Sequence, residues 1–419
     1  MLLKFSVGNF RSIRARQELS FLATALNERT GVDVATQPHG MTRVLPAVGI
    51  YGPNASGKSN VLAALVELAD RATWLPRREQ EPRPDPFLLD STSREAPTLF
   101  EVEFLLAGVR YGYGLEQDDG GVVREWLHAF PLGRRQVWFE RDASAAEPFR
   151  FPGDYLRGAK SLLSDLVRPE APFLSLGMSL RHPQLSPVAQ WLRGIRRPRP
   201  GPTRLPMLRM PLRRLFEGRY AGLATALIRR ADLGIVGAEL VDTESFEGST
   251  SGIIPRREVY FRHLGADGDA LLPLSAESEG TLSWAHLLQV LLPVLSLGGV
   301  LVVDELDASL HPELAAEVIR MFQDPAVNTH RAQLLFASHD VTMLGAQFGS
   351  PLLDRDQIWF TEKDQTGTTE LYSLAELKPR KGENVERGYL AGRYGATPGL
   401  SPGELGRVLL QARRDEAPA

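Results

Sequence analysis

The chain contains no cysteine. Disulfides, thiolate zinc sites and cysteine nucleophiles are thereby excluded, and a reducing cytoplasm is the expected setting. Lysine is scarce: only six occur, at positions 4, 58, 160, 363, 378 and 381, and arginine supplies the other basic charge. A lysine inside a motif therefore carries more information than usual. An excess of one charge is also lacking, since 48 basic and 51 acidic residues leave a net −3. No global field draws such a chain to nucleic acid or anionic lipid. Long hydrophobic runs are missing too. A membrane span needs about twenty mostly apolar residues, whereas residues 287–303 are broken by Gln289, Pro293, Ser296 and a Gly298-Gly299 pair. That stretch reads as a buried helix, a turn and a buried strand. The opening MLLKFSVGNFRSIRARQ has no apolar core before a cleavage site, so a signal peptide is not expected. Neither an internal repeat nor a long heptad pattern is present.

What remains is an ordinary globular composition, 43% apolar and 24% charged over 419 residues, enough for one large domain with an insertion. Leu3, Phe5 and Val7 alternate with polar neighbours as in a half-buried strand. Residues 48–51 form a short apolar strand before a Gly-rich loop, and residues 60–75 carry a helical apolar face. Alternating runs between 99 and 140, parted by Gly and Asp clusters, predict an antiparallel meander. From 151 to 250 the pattern turns helical and irregular. Within it, residues 193–219, bounded by Arg193 and Arg219, hold nine arginines and five prolines with Glu217 as the only acid. Such a stretch suits a solvated linker, a phosphate-tracking surface or the docking of an acidic partner. Strand signals return at 258–264, 300–303, 333–337 and 357–361, with helices expected at 281–297 and 312–323. The expected architecture is α/β: a discontinuous head, residues 1–150 and 251–419, around a helical insertion at 151–250.

The octapeptide Gly52-Pro-Asn54-Ala55-Ser56-Gly57-Lys58-Ser59 fits the phosphate-binding loop G-x-x-x-x-G-K-[ST]. Glycines let backbone N–H groups turn inward around a phosphate, and the next helix, beginning near Asn60, presents its N-terminus to the negative charge. Lys58 suits the β/γ oxygens, and the Ser59 hydroxyl suits Mg²⁺. A second element, Val300-Leu-Val-Val-Asp304-Glu305, is an apolar strand ending in two carboxylates. Delivered beside the first loop, Asp304 could hold the Mg²⁺ shell and Glu305 could polarise an attacking water.

Taken with four further segments, these motifs resemble the ATP-binding-cassette ATPases, in the branch of structural-maintenance-of-chromosomes and RecF-like heads. KFSVGNFRSI resembles the first strand of such heads, and Ser278-Glu-Gly280-Thr281 the signature loop. Asp307-Ala-Ser309-Leu310-His311-Pro312 stands where the D-loop should be, and Ser338-His339 resembles the switch histidine. The resemblance implies that one copy's P-loop and Asp304 hold MgATP while Ser278 and Gly280 of a second copy close over it. It also implies that His339 senses the γ-phosphate, and that ATP joins a homodimer or higher homo-oligomer. The residues by themselves leave Ser278-Glu-Gly open as a plain helix cap and His339 as a core histidine. The signature lacks the double glycine of transporters, His311 replaces the usual D-loop Asp, and Gln80 is the candidate for the lobe-linking glutamine.

The spacing of about 220 residues between P-loop and signature is wider than in transporter cassettes, which argues against a membrane partner. The E-G-T signature, the L-D-A-S-L-H-P loop and the tail from Glu386 through Arg387 and Arg393 to Pro398 resemble ATPases grouped with overcoming-lysogenisation-defect proteins. Those belong to abortive-infection and anti-phage systems, and many carry a Toprim nuclease. No Glu…Asp-x-Asp cluster follows His339. The resemblance therefore implies a sensor or scaffold ATPase acting with a separate effector, such as a nuclease or toxin. The alternative is a RecF-like DNA-repair clamp that binds nucleic acid through residues 193–219.

Overall fold

The computed structural model describes residues 1–24, 26, 30–36, 40–73, 84–198, 212–231, 234–246, 253–308, 310–380, 382–397 and 403–415. It opens with β1 (Leu2–Gly8) and β2 (Gln17–Ser20), a ribbon of β3 (Val32–Thr36) and β4 (Gly40–Val44), and β5 (Ala47–Tyr51). Helix α1 (Lys58–Thr73) and the short α2 (Ser91–Glu95) precede a meander of β6 (Thr98–Leu106), β7 (Val109–Asp118), β8 (Gly121–Phe130) and β9 (Gln136–Asp142), closed by β10 (Phe149–Arg150). Then come α3 (Lys160–Leu166), α4 (Phe173–Ser179), α5 (Leu185–Arg193) and the two-residue β11 (Ile195–Arg196). Helices α6 (Arg213–Glu217) and α7 (Ala221–Ala231) lead into β12 (Ile235–Phe246), β13 (Ile253–Gly265) and β14 (Gly268–Pro273). The remainder is α8 (Glu279–Leu297), β15 (Val300–Val303), α9 (Pro312–Gln323), β16 (Gln333–Ala337), β17 (Ile358–Lys363), β18 (Thr369–Ser373), α10 (Val385–Leu390) and α11 (Glu404–Asp415).

Two large sheets organise the molecule. One is antiparallel, in the order β10-β9-β8-β7-β6-β1-β2; the other runs β11-β15-β16-β5-β17-β18 and is parallel up to β17. The central strands β5, β15 and β16 of the second sheet are buried on both faces, as short apolar runs in parallel sheets must be. Alternate residues accordingly enter two different cores. Val48, Ile50, Val300, Val302, Leu335 and Ala337 face α1 and the antiparallel sheet. Tyr51, Leu301, Val303, Leu334, Phe336 and Phe360 face α8 and α9 on the other side. Helix α1 is thus held between the sheets, with Val61, Leu62, Leu65 and Leu68 buried, and its N-terminus is pinned where β5 ends.

Buried polar side chains join these layers. Glu125, fully buried on β8, accepts from the backbone N–H groups of Phe173 (2.6 Å) and Leu174 (3.0 Å) at the start of α4. Arg141 on β9 donates to the Ala171 carbonyl at 2.8 Å. Burial raises the carboxyl pKa of Glu125 above its ordinary value, against the pull of Arg141 and these N–H donors. Gln333, wholly buried on β16, accepts from Leu2 N and donates to the carbonyls of Leu2 and Leu45 at 3.0 and 3.1 Å. It stitches β1 to the parallel sheet.

Several sequence expectations meet this architecture directly, among them the meander, the helix over 312–323 and the strands at 300–303 and 333–337. The stretch 151–250 is helical at α3 to α7, but residues 235–246 form β12, paired along its length with β13. Alternating Val, Ala, Leu and Thr suited that ribbon better than a helix. Helices α4 and α5 share the core of α1, and β11 adds to β15. Much of the basic segment, residues 199–211, lies outside the described residues, as does Gln80. Among the described residues one helix, α8, is long and apolar enough to cross a membrane by length and composition. Its Trp284, Leu288 and Leu291 are buried in the second core.

Replacing Gln333 by Leu leaves one N–H and two carbonyls unpaired in the interior. Each such group costs on the order of 1–3 kcal/mol, so urea denaturation of Gln333→Leu should show a loss of about 3 kcal/mol or more.

Candidate active site

The loop after β5 is shaped by contacts that leave no room for side chains. Gly52 has φ +153, and a Cβ there would lie 2.4 Å from the Thr361 carbonyl; Gly57 has φ +107, and its Cβ would lie 2.1 Å from Thr369 Oγ1. Ala55 also takes a positive φ, 62°. Such successive turns point N–H groups into a concavity. Polar groups from distant segments hold the loop from beneath. Ser56 Oγ and Thr361 Oγ1 are 2.6 Å apart. Asn60 Nδ2 donates to Ser12 Oγ at 2.7 Å, Ser12 Oγ lies 2.7 Å from Thr369 Oγ1, and Thr369 Oγ1 donates to the Ser56 carbonyl at 2.9 Å. The two outer bonds fix the middle one: Ser12 must donate to Thr369. The Asn60 amide is thus committed to the loop's foundation.

Lys58 begins α1 and reaches back across the loop, donating to the carbonyls of Gly52 (2.7 Å) and Pro53 (3.0 Å). Its Nζ lies 3.5 Å from Nδ1 of His339. Among the described residues it forms no ion pair, though it is 5% exposed. Burial lowers its pKa, and the carboxylates of Asp304, Glu305 and Asp307 push the other way. Those carboxylates come from the turn after β15. Asp304 and Glu305 are exposed at its lip. Glu305 takes φ 52, a left-handed conformation that costs a residue with a side chain about 1–2 kcal/mol. The turn is tied down by Leu306 N to the Ala337 carbonyl (3.0 Å) and by Asp307, which accepts from the backbone N–H of His339 at 3.2 Å. Parallel strands β5, β15 and β16 therefore deliver Lys58, Asp304-Glu305 and His339 to one edge of the sheet.

The signature-like segment is built as a helix start. Ser278 caps α8 by accepting from Thr281 N at 3.1 Å. Ser278 is exposed and Gly280 half-buried. His311 caps α9 in the same way, its Nδ1 accepting from Glu313 N at 3.3 Å, which accounts for a histidine in place of the usual Asp. Ser309 and Pro398 lie outside the described residues. The tail around Arg387 and Arg393 packs on the end of the parallel sheet: Tyr389 and Tyr394 stack on Phe360, and Arg393 pairs with Glu383 at 3.1 Å. Arg387 is exposed.

Thr361, Thr369 and Tyr51 belong to this site and no motif announced them; Ser12, within the KFSVGNFRSI segment, joins them beneath the loop. Tyr51 ends β5 beside Phe336, with its hydroxyl buried and unpartnered. Burial, with Asp340 and Asp307 nearby, raises its pKa well above the usual value. Its position next to Gly52 was the only available signal; the hydroxyl residues come from segments far apart in sequence.

The residues present fit a magnesium nucleotide. The buried, unneutralised ammonium of Lys58 calls for an anion, and the close packing of Gly52 and Gly57 on Thr361 and Thr369 fixes the loop across which it lies. Among the described residues no group of three or more His, Cys, Asp or Glu side chains could hold a metal by itself. A hard cation at Ser59 and Asp304 would then take its other ligands from phosphate and water, as Mg²⁺ prefers.

The fold and this edge define a P-loop nucleotide-binding α/β head. Residues 47–344 match the family described as "AAA domain, putative AbiEii toxin, Type IV TA system", and the chain belongs to that family. Among solved structures it is similar to the SMC head domain from Thermotoga maritima, with 12% identity over 89% of this chain and 98% of that one, at a TM-score of 0.39. It is likewise similar to an SmcHead bound to the C-winged helix domain of ScpA, with 14% identity, 90% and 99% coverage and a TM-score of 0.41. No curated protein matches by sequence.

Because the lowered pKa means that the fold disfavours the ammonium, the Lys58 charge is carried at a cost at every pH below that value. Lys58→Met should therefore raise the urea midpoint of the ligand-free protein while abolishing ATP binding by calorimetry. A lower midpoint would show that the two carbonyl bonds outweigh the burial of charge.

Proposed function

We propose that the chain binds and hydrolyses MgATP and that two copies, or a larger ring of copies, close around it. The convergence of Lys58, Asp304, Glu305 and His339 on one loop mouth carries this reading. Bound Mg²⁺ would neutralise charge on the phosphates, with Ser59 and Asp304 as its protein-side partners. Lys58 would exchange its carbonyl partners for phosphate oxygens. Glu305, exposed and aimed outward by its left-handed backbone, would accept a proton from the attacking water. His339, tethered through Asp307, would report whether the terminal phosphate is present.

Ser278 and Gly280 are assigned to the pocket of the other copy. The exposure of Ser278 at the start of a nineteen-residue helix supports this, because such an end suits anions and lies open to an approaching surface. Each round of hydrolysis would then release what ATP had joined.

The biological setting we infer is an abortive-infection or anti-phage system, with this chain as sensor or scaffold and a separate nuclease or toxin as effector. The family's name, which refers to a toxin–antitoxin system, supports that setting. If the chain itself is the toxin, purified protein should cleave nucleic acid or arrest cells when expressed alone. We expect neither without the neighbouring gene product. A repair clamp would instead bind DNA with an affinity that falls steeply with salt.

Glu305→Gln should lower turnover by at least about a hundredfold and leave a persistent ATP-bound dimer in analytical ultracentrifugation. The sharing of pockets can be checked by mixing two inactive variants, Lys58→Met and Ser278→Arg. Mixed dimers contain one intact pocket, so about a quarter of wild-type activity should return at equal amounts. If mixing restores nothing, Ser278 does not act across the dimer.

A further inference from the structure

The residue just before the signature-like turn is held by a contact that nucleotide binding does not explain. Glu277 precedes Ser278, its side chain is only 4% exposed, and its Oε1 lies 2.7 Å from Nε2 of His263. A carboxylate withdrawn from water needs a partner, and here the partner stands on a different element. His263 lies on β13, the central strand of a three-stranded sheet, opposite Ile235 of β12 and Ala270 of β14. With the carboxylate as acceptor, Nε2 is the nitrogen that carries hydrogen.

The same sheet also reaches α8 by way of α6 and α7. Phe261, two residues before His263, meets Phe216 of α6 edge-on at 5.8 Å, and Trp284 of α8 donates to the Leu227 carbonyl of α7 at 3.3 Å. Helices α6 and α7 with β12–β14 thus form a module attached to the chain on both sides of Ser278, at Glu277 and at Trp284 of α8. One attachment lies one residue before it and the other six residues after it. Between them sit the residues that would meet the second copy's phosphate. A misplacement of about 1 Å at reacting groups costs on the order of a hundredfold in rate, so small shifts of this turn matter.

We propose that Glu277 is a positioning residue for the contact across the dimer. Through His263 it ties the orientation of Ser278 and Gly280 to the β12–β14 sheet, so that a displacement of the sheet changes how readily two copies close over ATP. It does not change how tightly one copy binds ATP. This rests on the shared-pocket reading above and adds a control point to it.

The test uses the full chain in the Glu305→Gln background with MgATP. Dimerisation is followed by analytical ultracentrifugation, and binding within one copy by a fluorescent ATP analogue at concentrations where the protein is monomeric. Glu277→Ala and His263→Ala should each weaken ATP-driven dimerisation by about tenfold or more, with analogue affinity unchanged. The double variant should be no worse than either single one. His263→Gln, whose amide can donate from near the position of Nε2, should restore the dimer, and Glu277→Gln, which keeps an acceptor, should do so in part. Equal dimerisation in the alanine variants and the parent overturns the proposal and leaves the shared pocket standing. So does a His263→Gln variant that melts like the parent yet dimerises no better than His263→Ala. If the parent itself forms no ATP-dependent dimer, the shared pocket fails first and this proposal falls with it.

Discussion

A positive charge buried against neutral carbonyls governs this molecule. Lys58 is the first residue of α1, and the end of β5, the two-glycine loop and the face of α1 are arranged so that its ammonium lies across the loop mouth. Carbonyl oxygens satisfy its hydrogen bonds but not its charge. The nearby carboxylates of Asp304, Glu305 and Asp307 reduce the cost of burial without forming an ion pair with it. They are held at the lip by their own turn. A site so built is poised for an anion that brings its own cation, which is the chemical description of a magnesium nucleotide.

That arrangement requires a sheet buried on both faces. The parallel strands β5, β15 and β16 send alternate residues into two separate cores, so each strand is fixed in register from both sides. A one-residue slip would exchange the two sets. With the strands so constrained, their C-terminal ends have little freedom, and the polar residues that follow them arrive at one place. Rigidity at the sheet is what allows strained backbone at its edge. Glu305 keeps a left-handed conformation because Leu306 and Asp307 are both tied to the next strand's end.

The antiparallel sheet and the β12–β14 module serve this edge differently. The first clamps α1 from behind and supplies Ser12 beneath the P-loop, so its contribution is a fixed foundation. The second touches the signature-like turn through one polar pair and one helix face. Its apolar residues, Ile235, Val259 and Phe261, share the core of α8, so a displacement of this sheet is felt at the start of that helix.

Much of this was legible from residues alone because it rests on local chemistry. A G-x-x-x-x-G-K-S loop needs glycines and a lysine wherever it occurs, and an apolar strand ending in Asp-Glu advertises both its burial and its exposed end. Ser278 as a helix cap and the Pro-led helix after His311 are equally local. The ribbon at 235–246 departs from the helical pattern of its neighbours because its partner strand β13 lies beyond them in sequence. Thr361 and Thr369 could not be found in advance: each is one small hydroxyl in an unremarkable segment, and only chain folding brings them together with Ser12 of the KFSVGNFRSI segment under Ser56. The same is true of the His263–Glu277 pair. The sequence by itself determined which groups could do phosphate chemistry, because residue type and spacing set that. Which distant side chains support them, and how firmly, was decided only in three dimensions, where packing sets the neighbours of every buried polar atom.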